Sequence, residues 1–89
     1  MPAVRITVTG VVQGVFYRAE AQSKAQELQI TGWVRNRDDG TVEIHAEGSE
    51  EALKELERWC WTGPARAAVT GVTVTEDAEE HQPTFDVVP

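Results

Sequence analysis

Thr31-Gly32-Trp33-Val34-Arg35-Asn36-Arg37-Asp38-Asp39-Gly40-Thr41-Val42-Glu43-Ile44-His45-Ala46-Glu47 is the stretch that decides the fold. Its first part, residues 31–37, reads as a strand with Trp33 and Val34 at its centre. Asp38-Asp39-Gly40 is hairpin-turn chemistry, because Gly tolerates positive φ. Val42, Ile44 and Ala46 then alternate with Glu43, His45 and Glu47, the period of a half-buried strand that ends at Gly48.

Working outward, Val4, Ile6 and Val8 alternate with Arg5, Thr7 and Thr9, so residues 3–9 form an earlier strand. Gly10 to Val15 follows as a loop with two glycines. Residues 17–29 lack Gly and Pro, and Ala21, Ala25 and Leu28 recur at helical spacing, which predicts an amphipathic helix. On the other side of the hairpin, Ser49 is a good N-cap, and Glu50 and Glu51 suit the positive end of a helix. Ala52, Leu53, Leu56, Trp59 and Cys60 form its apolar stripe, and Gly63-Pro64 stops it. Val72 and Val74 mark a strand over about residues 67–76, where Gly71 suggests a bulge or close approach. Residues 76–80 read as an acidic, solvated loop, and residues 84–88 as a short last strand with Phe85 and Val87 facing one way. The order βαββαβ plus a final β predicts an α+β ferredoxin-like sandwich. An antiparallel sheet carries both helices on one face, in a single domain spanning residues 1–89.

Composition narrows the function classes. Apolar residues make up 40% and charged residues 26%, which suits a globular protein and not a disordered one. No apolar run approaches the ~20 residues of a membrane helix, and the N-terminus does not read as a signal peptide. Cys60 is the only cysteine, so no internal disulfide or thiolate zinc site forms, and the cytoplasm is the simplest location. The formal charge of −7 argues against non-specific nucleic-acid binding. That charge is uneven. Residues 1–40 hold five basic and four acidic side chains, and residues 41–89 hold three and eleven, so an anionic ligand prefers the N-terminal half.

Gly10-Val11-Val12-Gln13-Gly14-Val15-Phe16-Tyr17-Arg18 carries the chemistry. It joins a strand to a helix N-terminus, where main-chain N–H groups lack intrahelical partners and the dipole adds positive charge. Glycines let such a chain curl into an anion cradle, and Arg18 adds a planar fork matched to phosphate oxygens. The loop is neither a Walker A motif nor a dinucleotide fingerprint.

The pattern Gly10-x-Val12-Gln13-Gly14-Val15-x-x-Arg18, followed by Gly32-Trp33-Val34-Arg35-Asn36-Arg37-x-Asp39-Gly40-x-Val42-Glu43, resembles the acylphosphatase signature over nearly the whole chain. That resemblance implies hydrolysis of carboxyl-phosphate anhydrides of small acyl phosphates, with no metal or other cofactor. It also implies that Arg18 binds phosphate and Asn36 orients water, with the main chain of Gly14, Val15, Phe16, Tyr17 and Arg18 as the phosphate cradle. A monomer is expected, without nucleic-acid or membrane partners. Other readings are a detached domain of a larger carbamoyl-transferring protein, or a non-catalytic anion-sensing or docking module of the same fold. Two features depart from the usual pattern: Tyr17, whose hydroxyl needs a partner, and the segment Trp59-Cys60-Trp61-Thr62.

The remaining candidates read more plainly. Arg35 and Arg37 are solvated strand charges with at most a secondary part in drawing in an anion, His45 is a surface or sheet-face residue on the side opposite Val42 and Ile44 and not a base, and His81 is exposed. Cys60 is a core residue. The strands 3–9 and 41–47 carry no aromatic residue, so they offer no stacking platform for RNA bases.

Overall fold

The computed structural model describes all residues, Met1–Pro89. Seven elements follow in order: β1 (Ala3–Val11), α1 (Tyr17–Glu27), β2 (Thr31–Asn36), β3 (Val42–Glu47), α2 (Glu50–Thr62), β4 (Ala68–Glu76) and β5 (Phe85–Val87). They build one five-stranded sheet in the order β4-β1-β3-β2-β5. The four long strands pair antiparallel, as the pattern predicts. β5 lies parallel to β2, so the sheet is mixed at that edge.

Register follows from alternation. Ile6 faces Ile44, Val8 faces Val42, and Val34 faces Ile44, so these side chains share one sheet face. Both helices cover that face. Tyr17, Ala21 and Ala25 of α1 and Leu53, Leu56 and Cys60 of α2 are buried in the same cluster as Ile6, Val8, Val34, Val42 and Ile44. The small alanines let α1 sit close to the sheet. The sandwich is the ferredoxin-like α+β fold that the element order implies.

Two ends move, those of β1 and α1. β1 continues two residues past the expected end, because a register shift at Thr9/Gly10 keeps Gly10 and Val11 paired with Val69 and Ala68. The irregularity near Gly71 is therefore a bulge against β1, as its glycine suggests. α1 ends at Glu27 instead of residue 29. Gln29 takes the left-handed seat (φ 59°) usually given to Gly, and the Ile30 N–H donates to the Ala25 carbonyl at 2.8 Å. That is a Schellman-type stop without its customary glycine. Ser49 caps α2 as expected, its hydroxyl oxygen accepting from the Ala52 N–H at 3.1 Å.

The helix-free face corrects two expectations. Residues 76–80 are not simply a solvated acidic loop, and His45 is fully buried. Imidazole Nδ1 lies 2.9 Å from Asp77 Oδ2, and Nε2 lies 2.7 Å from Glu47 Oε2. Arg5 reaches both Asp77 and Glu43, and Arg35 reaches Glu43 at 2.6 Å. Glu47 also accepts from the Glu80 and His81 main-chain N–H groups. Trp33 stacks on His45 with ring centroids 5.9 Å apart, and the Arg5 and Arg35 guanidinium groups lie over the indole. The acids thus find cations and fold back over the sheet.

Carboxylates only accept, so two of them facing both ring nitrogens favour the imidazolium. Burial alone would push the His45 pKa down, but the hydrogen bonds to Glu47 and Asp77 outweigh it, and the value rises above the usual one. The stability linked to His45 is complete below its unfolded value of about 6.5 and is lost as pH climbs through the raised folded value. Urea unfolding of the parent is expected to show falling stability above about pH 6.5. His45→Gln should flatten that alkaline slope. An equal slope in both proteins would assign it to other groups.

Candidate active site

Residues 12–16 join β1 to α1 across the end of the sheet. Gly14 has φ 73°, and Phe16, at the N-cap of α1, sits in the left-handed region at φ 67° and ψ 16°. No side chain caps the helix. The Phe16 carbonyl accepts from the Glu20 N–H at 3.1 Å, so the helix begins at once. The main-chain N–H groups of Gly14 through Ala19 donate to no other group in the protein. Unpartnered donors at a helix N-terminus, with the dipole behind them, form an anion site.

Arg18 lies in the first turn of that helix and is half-buried. Arg5, Arg35 and Arg37 each lie within 4 Å of a carboxylate, whereas Arg18 enters no ion pair. In a chain with fifteen Asp and Glu residues, this guanidinium keeps its fork free.

Asn36 is the last residue of β2. It pairs with Val42, and strand alternation turns its side chain to the helix face, in line with Val34. The core ends there, so the carboxamide faces the loop instead of apolar packing. Its Oδ1 is buried and has no hydrogen-bond partner, an arrangement that costs about 1–3 kcal/mol without compensation. Gly14, Phe16, Arg18 and Asn36 line one cavity of about 300 Å³. Arg35 and Arg37 do not line it; with Asn36 they line a neighbouring polar cavity.

The side chains of two of the expected cradle residues turn to the interior. Val15 packs against the hydrophobic core. The Tyr17 side chain turns into the interior, where its hydroxyl donates to the Cys60 carbonyl at 2.7 Å. Its ring packs on Trp59 at 5.1 Å between centroids, and a Cβ on Gly63 would lie 2.7 Å from it. The two unusual features of the sequence are therefore one contact. An aromatic with a hydroxyl at position 17 meets the last turn of α2, whose chain exits through a glycine. Burial raises the Tyr17 phenol far above its ordinary pKa, so it stays a donor. Burial likewise pushes the Cys60 thiol up to about 12, which leaves it inert as a nucleophile at neutral pH.

One contact escaped the reading of single residues. Gln13 Nε2 donates to the Arg37 carbonyl at 2.8 Å and to the Thr41 carbonyl at 2.9 Å. The loop is thereby bonded to the hairpin that carries Asn36. The signal was Gln13's place in the glycine-bearing motif, but its partners lie far along the chain.

Known proteins resemble this chain along most of its length. The family profile "Acylphosphatase" matches residues 4–87. The acylphosphatase of Methylococcus capsulatus is 54% identical over 78 residues, covering 88% of this chain and 85% of its own. That of Xanthomonas euvesicatoria pv. vesicatoria is 49% identical, covering 99% and 98%. The crystal structure of the Bacillus subtilis acylphosphatase superposes with a TM-score of 0.97 at 42% identity, over the full length of both chains. The chain belongs to the acylphosphatase family, whose enzymes hydrolyse acyl phosphates.

Tyr17→Phe removes one buried donor and leaves the Cys60 carbonyl short of a partner. It is expected to lower the unfolding free energy by about 1–3 kcal/mol, read from urea denaturation. Unchanged stability would mean that this hydroxyl contributes nothing to holding the loop.

Proposed function

We propose that Arg18 and the free N–H groups of the loop hold the phosphoryl group of a small acyl phosphate, while Asn36 places the attacking water. The observation that carries this is the shared cavity of an unpaired guanidinium and a carboxamide with an unsatisfied oxygen.

The chemistry asks for little more. Attack forms a bond from water oxygen to phosphorus, and the bond from phosphorus to the acyl oxygen breaks. The electron pair leaves with the carboxylate, and the water proton passes to phosphate or solvent. A carboxylic acid has a pKa of roughly 4–5, so the leaving group departs at neutral pH without a general acid. The transition state is loose, with charge spread over the equatorial oxygens, so a strong base is dispensable. What remains is electrostatic matching and in-line placement. Arg18 supplies a bidentate fork, the loop amides supply fixed dipoles, and a carboxamide oxygen accepts a hydrogen of the water. These groups meet the demand without a metal ion.

Arg18 and Asn36 both come from residues 1–40, the half without excess negative charge, which favours approach of an anion. The same reading takes the protein as a single-domain cytoplasmic monomer that engages neither nucleic acid nor membrane. Supporting points are the net charge of −7 and the single, buried, unpaired cysteine. No helix is long and apolar enough to cross a membrane.

Benzoyl phosphate hydrolysis in the presence of a chelator tests the assignment. Arg18→Ala and Asn36→Ala should each lower the rate by about 10²-fold or more, comparable to losing an oxyanion donor. Arg18→Ala should also weaken inhibition by inorganic phosphate, and Asn36→Ala should not. Near-parental turnover by either variant refutes its role. Phosphate binding without turnover by the parent would favour an anion-sensing module.

A further inference from the structure

We infer that Gln13 is a positioning residue for the reaction, which sets Asn36 at its distance from the phosphate loop. This rests on the reading of Asn36 as the group that orients water.

The two halves of the site have no covalent reason to stay in register. The loop follows β1, and Asn36 ends β2, which does not pair with β1; β3 lies between them. Side by side, the loop and the hairpin could slide by an ångström without breaking the sheet. Gln13 closes that gap. Its amide reaches both carbonyls of the pair that closes the hairpin turn, Arg37 and Thr41.

That turn is itself stiff. The Arg37 N–H donates to the Thr41 carbonyl at 2.9 Å, and the Gly40 N–H donates to the Arg37 carbonyl at 3.2 Å. Asp39 accepts from both the N–H and the hydroxyl of Thr41. Each carbonyl that Gln13 engages thus already has one partner, and Gln13 occupies its second lone pair. Fixing Arg37 fixes the residue before it, Asn36, on a rigid strand end. A side-chain amide of this length offers two N–H groups to the two acceptors. A carboxylate would be repelled by both, and an apolar chain would leave both single-bonded. In-line attack is sensitive to such placement, since a shift of about 1 Å can cost on the order of 10²-fold in rate.

The test is a double-mutant cycle on acyl phosphate hydrolysis. Gln13→Met keeps length and removes the donors. It should lower kcat by about tenfold or more, while the inhibition constant of inorganic phosphate changes less than about twofold, because Arg18 and the loop amides remain. In the Asn36→Ala background the same substitution should change kcat by less than about twofold, because the residue it positions is gone. An equal loss in both backgrounds would overturn the inference and leave Gln13 a general staple. So would a parental kcat in Gln13→Met, or a large rise in the phosphate inhibition constant. If Gln13→Met does not fold, Gln13→Glu serves instead. Relative to the parent, it should be impaired at neutral pH and recover below about pH 5, where the acid regains an O–H donor. No recovery would count against the inference. Full activity of Asn36→Ala alone would remove the reading beneath it, a result distinct from all of these.

Discussion

A helix leaves the N–H groups of its first turn to some other partner, and at the start of α1 the protein provides none. The residue at the N-cap is Phe16, which has no side-chain acceptor, and no other side chain caps the helix. Six consecutive amides, Gly14 to Ala19, are left without a protein partner beside an unpaired arginine. An anion with several oxygens satisfies them together, in a way that a single capping hydroxyl does not. The architecture of the rest of the chain serves to keep this short segment open and in place.

Keeping it in place takes work, because the segment is strained. A non-glycine residue in the left-handed region costs of order 1–3 kcal/mol and persists only when its surroundings over-determine it. Phe16 is 70% exposed, so its own ring does little to hold it. The anchors lie on either side. Tyr17 is locked between Trp59, the Cys60 carbonyl and Gly63 at the end of α2. Gln13 is locked to the β2–β3 turn. Phe16 is therefore fixed at both flanks, and each anchor comes from a different part of the fold.

Charge is managed on the opposite face. The acid-rich C-terminal half could repel an anionic substrate, yet its carboxylates next to the sheet are neutralised locally. Arg5 and Arg35 take Glu43, and His45 takes Glu47 and shares Asp77 with Arg5. Trp33 roofs this network and its indole N–H donates to Glu80. Arg5 and Arg35 are spent on that side of the sheet, and Arg18 stays unspent on the other. Strand alternation makes the division: Arg35 and Asn36 are neighbours in sequence and face opposite sides of the sheet.

Local patterns were enough to place every strand and helix in order, because alternation and helical spacing are properties of a few consecutive residues. Arg18 and Asn36 were singled out by resemblance to a family signature whose two motifs lie in contiguous stretches, and the fold puts both on one cavity. Boundaries set by distant partners were not legible. Val11 stays in β1 only because Ala68 pairs with it across a bulge, and Gln29 ends α1 in a seat that glycine usually marks. The parallel edge made by β5 was equally hidden, since three residues carry no sign of strand direction. Burial of Glu43, His45 and Glu47 contradicted the sequence's simplest meaning. A polar residue on an outward face looks solvated until other segments supply partners: Arg5 for Glu43, Asp77 for His45, and the Glu80 and His81 N–H groups for Glu47. The same holds for the Tyr17 hydroxyl and for Gln13. Their partners are main-chain carbonyls, which every residue possesses and which only the tertiary structure can bring within 3 Å.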